Sequence, residues 1–245
     1  MLYAVVADIH GNMAAFVAVL EDMKKRGGVE EIWCLGDVVG YGPDPHECVQ
    51  LLRQHAHCCV AGNHDWAAIE KIDTFDFNPA AAEAASWTAS QLTPEDVDYL
   101  ENLRLAERRG DFTLVHGSPR DPIWEYLISV QAARTSFDWF TTRHCLVGHS
   151  HIPLLFEHLG QTGICQYSQL HAELSLETVQ GRLIINPGAV GQPRDGDPRA
   201  SYALFDSEKM IIFHHRVAYD IASTQRKMMS LGLPPPLATR LSSGV

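Results

Sequence analysis

The sequence has no apolar run approaching the ~18 residues a membrane-spanning helix needs, so transmembrane segments are excluded. It also lacks a basic leader and a small-residue cleavage site behind its first apolar run. "MLYAVVADIHGN" is therefore expected to be the first strand of a fold, not a signal peptide. No CxxC pair occurs among the six cysteines (Cys34, Cys48, Cys58, Cys59, Cys145 and Cys165), which lie mostly in apolar segments. Buried free thiols in a reducing cytoplasm are expected, in place of disulfides or a zinc knuckle. Positive charge is scarce, with 19 basic against 30 acidic residues and a formal charge of −11. That argues against broad nucleic-acid or anionic-membrane binding. It does not exclude a small anionic substrate, because a local cationic site overrides the global field. Repeats, low-complexity linkers and a second-domain boundary are all missing, so residues 1–245 are expected to form one domain.

What is present is ordinary globular material, 46% hydrophobic and 20% charged, enough for a sizeable core. "LYAVVA", "EIWCLG" and "HCCVAG" read as three buried strands alternating with helices. Asn12 is positioned to cap the first helix, whose Met13, Phe16, Val17, Leu20 and Met23 follow helical spacing. Asp44 and Pro45 look like the N-cap and first turn of the second. This βαβαβ order predicts a parallel sheet with right-handed crossovers. Residues 66–110 read as helical and Ala-rich with a capping "TPED", and 120–140 as an aromatic, helical lid. Between and after them "FTLVHG" and "HCLVGHSH" are two more strands ending in histidines. Short alternating runs beyond residue 152 suggest a second, mainly antiparallel sheet, followed by a helix from about Asp220 to Gly232.

Five polar clusters follow apolar strands in order: Asp8-x-His10, Gly36-Asp37, Gly62-Asn63-His64-Asp65, His116-Gly117 and Gly148-His149-x-His151. Ligands gather at the carboxyl ends of strands in parallel α/β sheets, so all five are expected to converge on one crevice. The i, i+2 spacing in two clusters points both side chains to one side if the segment is extended. The candidate donors are oxygen and nitrogen only: Asp8, His10, Asp37, Asn63, His116, His149 and His151. Seven donors are too many for one tetrahedral zinc and suit two ions sharing a carboxylate. Two divalent cations against two aspartates leave the site near +2, a phosphate trap inside an acidic protein.

"DIHGN", "GDVVGYG", "GNHD", "HG" and "GHSH" together resemble the five blocks of the calcineurin-like metallophosphoesterase superfamily. The later "NPGAVGQPRDGDPRASYALF" looks like that family's closing strand pair. The resemblance covers most of the chain and implies an α/β fold, a four-layer α/β/β/α sandwich (the metallo-dependent phosphatase fold). It implies two divalent ions (manganese, iron or zinc), one held by Asp8, His10 and His151, the other by Asn63, His116 and His149, with Asp37 bridging. A metal-bridging hydroxide then attacks phosphorus, and His64, not itself a ligand, assists the leaving oxygen. Asp65 is a candidate to orient His64; its alternative is a carboxylate facing the helix dipole.

The sequence also departs from two branches. Protein serine/threonine phosphatases and symmetrical dinucleoside tetraphosphatases show GDxxDRG and RGNHE, whereas "GDVVGYG" and "AGNHD" lack both arginines, at or near Tyr41 and Ala61. A small diesterase branch carries cysteine where His64 stands. Arg194 and Arg199, in a Gly/Pro-rich turn, are candidate replacements for gripping phosphate, and the alternative is a surface pair tied to Asp195 and Asp197. Tyr41 is a candidate contact to the leaving group or a packed loop tyrosine. His46, His55, His57, His144, His158, His171, His214 and His215 read as structural or solvated. The expected function is two-metal hydrolysis of a small phosphorylated substrate; the alternative is a scaffold with a vestigial site. A metallo-β-lactamase-type hydrolase is set aside, because its HxHxDH block is missing.

Overall fold

The computed structural model describes residues 1–160, 162–170 and 172–245; His171 lies outside the described residues. The first third follows expectation. β1 (Leu2–Val6), β2 (Glu31–Cys34) and β3 (His57–Cys59) are parallel neighbours joined by α1 (Met13–Lys25) and α2 (Pro45–Arg53). Asn12 caps α1, its side-chain oxygen accepting from the Ala15 N–H at 3.2 Å. Asp44 and Pro45 stand at the N-cap and first turn of α2, as expected, but the Asp44 side chain makes no cap hydrogen bond. Its carboxylate is drawn instead to the Lys227 ammonium.

α3 (Asn63–Ala68), α4 (Pro79–Ala89) and α5 (Pro94–Glu101) fill the helical stretch, the last opened by a reciprocal Thr93–Asp96 capping box. The helical reading of 66–110 ran too far. β4 (Ala106–Arg109) forms a hairpin with β5 (Phe112–Val115), and its polar, half-exposed "AERR" carries no apolar signature. The helical extent of 120–140 is also corrected. Only α6 (Val130–Ser136) and a short 3₁₀ turn are helical, and Ala133 and Phe137 are buried against β-sheet residues such as Phe156.

β6 (His144–Leu146), β7 (Pro153–Leu159), β8 (Ile164–Gln169), β9 (Glu173–Ser175), β10 (Arg182–Pro187), β11 (Ala200–Asp206) and β12 (Ile211–Val217) follow, then α7 (Ile221–Ser230) and α8 (Pro235–Thr239). The strands beyond 152 do not make a sheet of their own. The two sheets run β3-β2-β1-β11-β12-β9 and β4-β5-β6-β10-β7-β8. β10 and β11, expected as a closing pair, therefore lie in different sheets.

Alternation of side chains makes four layers of this arrangement. Ala4 and Val6 of β1 face α1 and α2, with Phe16, Val19, Val49 and Leu52. Val5 faces the second sheet, where Trp33, Leu114, Leu146 and Ile185 close the space between sheets. Ile184, beside Ile185, points out toward α6. Each fully buried side chain of this size stabilises the fold by about 1.5–3 kcal/mol. The result is an α/β/β/α sandwich in which β1, β2, β3 and, across the inter-sheet core, β5 and β6 end near one another.

Candidate metal centre

The convergence is real, but it is assembled from two sheets. Asp8 and His10 follow β1, Asp37 follows β2, and Asn63 begins α3 after β3; His116 follows β5, and His149 and His151 follow β6. Main-chain bonds lock these loops: His10 N donates to Asp37 O (2.9 Å) and Gly148 N to His116 O (2.8 Å). Across the sheets, His149 N donates to Asp8 Oδ1 at 3.1 Å.

The i, i+2 pairs do not work through extended backbone. Asp8 (φ 55°), His10 (φ 50°), Asp37 (φ 53°), His149 (φ 64°) and His151 (φ 59°) are all left-handed, as is Tyr41 (φ 56°). Only Glu70 and Met210 share that conformation among the other described non-glycine residues. Such backbone costs about 1–2 kcal/mol per residue, and strain concentrated in one place marks a site the rest of the fold holds in shape. Nor do both pairs serve one group. Asp8, His10, Asp37 and His151 offer ligand atoms within 4.8 Å of one another, whereas His149 joins Asp37 and His116 in a second set. Asn63 belongs with the second set, its Oδ1 lying 3.1 Å from His116 Nε2. Gly62 makes room, because a Cβ there would stand 2.0 Å from Asp37 Oδ1.

Each imidazole has one nitrogen against a main-chain carbonyl: His10 Nδ1 to Val39 O (3.1 Å), His116 Nδ1 to Leu35 O (2.8 Å), His151 Nδ1 to Gln192 O (2.6 Å) and His149 Nε2 to Trp124 O (3.3 Å). A carbonyl only accepts, so that nitrogen carries a proton and the other faces inward, with a free lone pair wherever the ring is neutral. His10 and His151 then face each other Nε2 to Nε2 at 3.1 Å. Burial, with Asp37 in partial opposition for His10, holds both imidazoles well below their ordinary pKa and hence neutral. Two lone pairs at that distance repel unless a cation lies between or beside them. Asp8 Oδ2 and Asp37 Oδ2 are buried with no hydrogen-bond partner among the described residues, though Asp37 Oδ2 is 3.5 Å from His10 Nε2 and 3.4 Å from His116 Nε2. Around His116 a proton takes the place a cation would: burial opposes its charge, yet Asp37 lifts it to about 9. Burial raises Asp8 to about 7, against the pull of His116. Nitrogen and oxygen donors with orphaned carboxylate oxygens fit divalent metal.

The model of the calcineurin-like phosphoesterase superfamily domain matches residues 1–210. The chain belongs to that superfamily. It is 38% identical over 99% of its length to an uncharacterised protein of Methanocaldococcus jannaschii, 98% of which is covered. A metallophosphoesterase from Sphaerobacter thermophilus has the same fold, with a TM-score of 0.89 and 47% identity over 100% of this chain and 99% of that one. A symmetrical bis(5′-nucleosyl)-tetraphosphatase of Pseudomonas putida is 32% identical, over 49% of this chain and 42% of its own length.

The other predicted residues of this phosphoesterase divide. His64 is buried beside the cluster, its ring 4.9 Å from that of His10 and 4.2 Å from that of Tyr41. Its Nδ1 has no partner, and Gly40 makes room for it, since a Cβ at Gly40 would lie 2.7 Å from that atom. Burial lowers the imidazole to about 4. Asp65 does not orient it. Both carboxylate oxygens accept main-chain N–H groups, from Asp37 (2.8 Å), Val39 (3.1 Å) and Gly62 (3.0 Å), which makes Asp65 the staple between two ligand loops. Arg194 reaches the site: it donates to Gln192 Oε1 (2.9 Å) and to the Tyr41 hydroxyl (3.4 Å), with its Nε unpaired. Arg199 does not, being half-exposed and forked onto Asp197 at 2.6 Å, as the surface-pair alternative has it. Asp195 is taken by Arg216.

Several contributors escaped sequence reasoning. Asn186 donates to Gly148 O (2.6 Å) and Ser150 Oγ (3.0 Å), bracing the GHSH turn. Arg240 shares Gln192 Oε1 with Arg194, at 3.3 Å. Phe77, Trp124 and Tyr126 roof a cavity floored by Asn63 and His64. The aromatic reading of 120–140 takes in Trp124 and Tyr126; Phe77 had no such signal.

Proposed function

We propose that this chain is a two-metal phosphoesterase acting on a small phosphorylated substrate, as a phosphomonoesterase, a phosphodiesterase or both. The inward-facing nitrogens of four carbonyl-anchored imidazoles around two orphaned carboxylate oxygens carry this reading. Asp8, His10 and His151 would hold one divalent ion, Asn63, His116 and His149 the other, and Asp37 would face both. Bound ions of this kind (manganese, iron or zinc) supply Lewis acidity to the phosphoryl oxygens and to the attacking water.

The remaining steps belong to the side chains. Asn63 contributes an uncharged oxygen, which keeps the site positive. His64, neutral at pH 7 by virtue of its burial, donates an N–H hydrogen bond to the leaving oxygen as charge develops there. Arg194 and the Tyr41 hydroxyl orient the phosphoryl group, replacing the arginines that the sequence lacks, while Asp65 and Arg199 take no part. Tyr41 itself rests on Met228, Leu237 and Leu241 of the C-terminal helices, which supports reading residues 1–245 as one unit. No described helix is long and apolar enough to cross a membrane, and six unpaired thiols fit a reducing, cytoplasmic setting. The scaffold alternative gains no observation of its own.

The experiment is turnover of 4-nitrophenyl phosphate and bis(4-nitrophenyl) phosphate by chelator-stripped protein reloaded with each metal. Hydrolysis of at least one ester, dependent on added metal, is expected. Loaded protein inert to both esters, with metal bound, would return the scaffold reading.

A further inference from the structure

Beside the metal cluster lies a cavity of about 270 Å³ whose floor is Asn63 and His64 and whose walls are Tyr41, Phe77, Trp124 and Tyr126. Its size falls just under the roughly 300 Å³ at which drug-sized pockets begin, room for one planar ring system and not for a polypeptide segment. The walls are preformed. Phe77 packs on the His64 ring at 4.6 Å and edge-on against Trp124 at 5.7 Å. Tyr126 stacks on His149 at 3.8 Å, nearly parallel, yet remains 47% exposed. The Trp124 carbonyl accepts from His149 Nε2, so this wall is tied directly to a candidate ligand.

The rim is polar and has a definite sense. Asn78 spends its side-chain oxygen on capping α4, through the Ala81 N–H at 3.0 Å, which leaves its amide N–H groups to donate outward. Asp76 offers an exposed carboxylate, an acceptor that repels a second anionic group. An aromatic slot with one acceptor and one donor at its edge matches a ring that stacks by its faces and hydrogen-bonds by its edge. Plain aryl groups have the face without the edge.

We propose that this slot is a nucleobase subsite, so that the leaving group of the physiological substrate carries a nucleoside. The proposal rests on the phosphoesterase reading in one respect: His64 serves the leaving oxygen, so whatever the leaving group carries enters the slot that His64 floors.

Binding of adenosine, which has no phosphate, separates the two ideas. Ligand-observed NMR titration of metal-loaded protein is expected to show saturable binding of adenosine and none of ribose. Phe77→Ala should weaken adenosine about tenfold, the scale of one lost base-stacking contact, and Phe77→Tyr should restore it. Asp76→Asn should weaken adenosine while leaving phenol unchanged. Adenosine binding no tighter than ribose, or indifferent to Phe77→Ala, would overturn the subsite, as would phenol binding as well as adenosine. Adenosine bound by a protein that hydrolyses no phosphoester would instead sink the phosphoesterase reading and leave the subsite standing.

Discussion

Two regions of this protein keep buried polar atoms without partners, and they differ in kind. In the cleft, Asp8 Oδ2, Asp37 Oδ2, His64 Nδ1, Gln192 Nε2 and Arg194 Nε are all unpaired. Away from the cleft, Trp66 Nε1, Thr88 Oγ1 and both nitrogens of His144 are unpaired too. His144 is buried on β6 with its ring 5.3 Å from that of Phe112, and neither ring nitrogen has a hydrogen-bond partner among the described residues. It is packed as an aromatic ring, and burial holds it neutral, at about 4. The cleft atoms sit in a shell where carboxylates, imidazoles and a guanidinium converge. An orphan atom alone is a packing cost of about 1–3 kcal/mol. Only convergence turns orphans into a site.

The most damaging way to probe that distinction is at Asp37, where one carboxylate faces both ligand sets. Asp37→Asn should lower metal content and nearly abolish turnover, measured by elemental analysis and ester hydrolysis; full activity would remove the basis of the assignment. Next comes His64, an orphan of the cleft that falls in neither group of ligand atoms. His64→Ala should keep both metals and lose about 10²–10⁴-fold in turnover, with alkyl phosphates suffering more than aryl phosphates because their leaving oxygens are more basic. Loss of metal in that variant would move His64 into the ligand shell. A smaller effect is expected at the arginines. Arg194→Ala should raise KM about tenfold with metal content intact, whereas Arg199→Ala should leave the kinetics unchanged, since its guanidinium is committed to Asp197. Equal effects would mean that the late loop closes over the metals in a way the Asp197 fork does not allow.

The smallest effect lies outside the cleft. His144→Leu should change neither metal content nor turnover and should stabilise the fold by about 1 kcal/mol at pH 8, by removing unpaired nitrogens. The gain should grow on acidification. The buried imidazole titrates near 4 and an unfolded one near 6.5, so unfolding takes up a proton between those values and wild-type stability falls through that window. Thermal unfolding at pH 5 and pH 8 checks this, and a gain that shrinks at pH 5 would contradict it.

Much of the cleft was legible because its residues are local punctuation: polar, glycine-flanked groups ending apolar runs. The partition into two sheets was not. "HCCVAG" and "FTLVHG" are equally good buried strands, and which sheet each joins depends on packing against residues far away in sequence. The left-handed backbone at Asp8, His10, His149 and His151 was hidden for a related reason, since side-chain spacing says nothing of φ once a strand has ended. Of the two readings open for Asp65, the dyad with His64 fails and the carboxylate at a helix N-terminus holds, since it accepts from Gly62 at the start of α3. Its other partners, N–H groups of a loop 26–28 residues away, lie beyond any local pattern. Arg194 and Arg199 look alike in sequence; Asp197 takes one and Tyr41 meets the other. The aromatic slot joins residues around 77 to residues around 125, a pairing no local pattern announces.

The most direct test of the central claim is anomalous diffraction from crystals soaked in manganese or zinc. Two peaks are predicted in the cleft, roughly 3.5–4 Å apart as in two-metal sites, with Asp37 touching both and His144 touching neither. A single peak, or none among Asp8, His10, Asp37, Asn63, His116, His149 and His151, would contradict it.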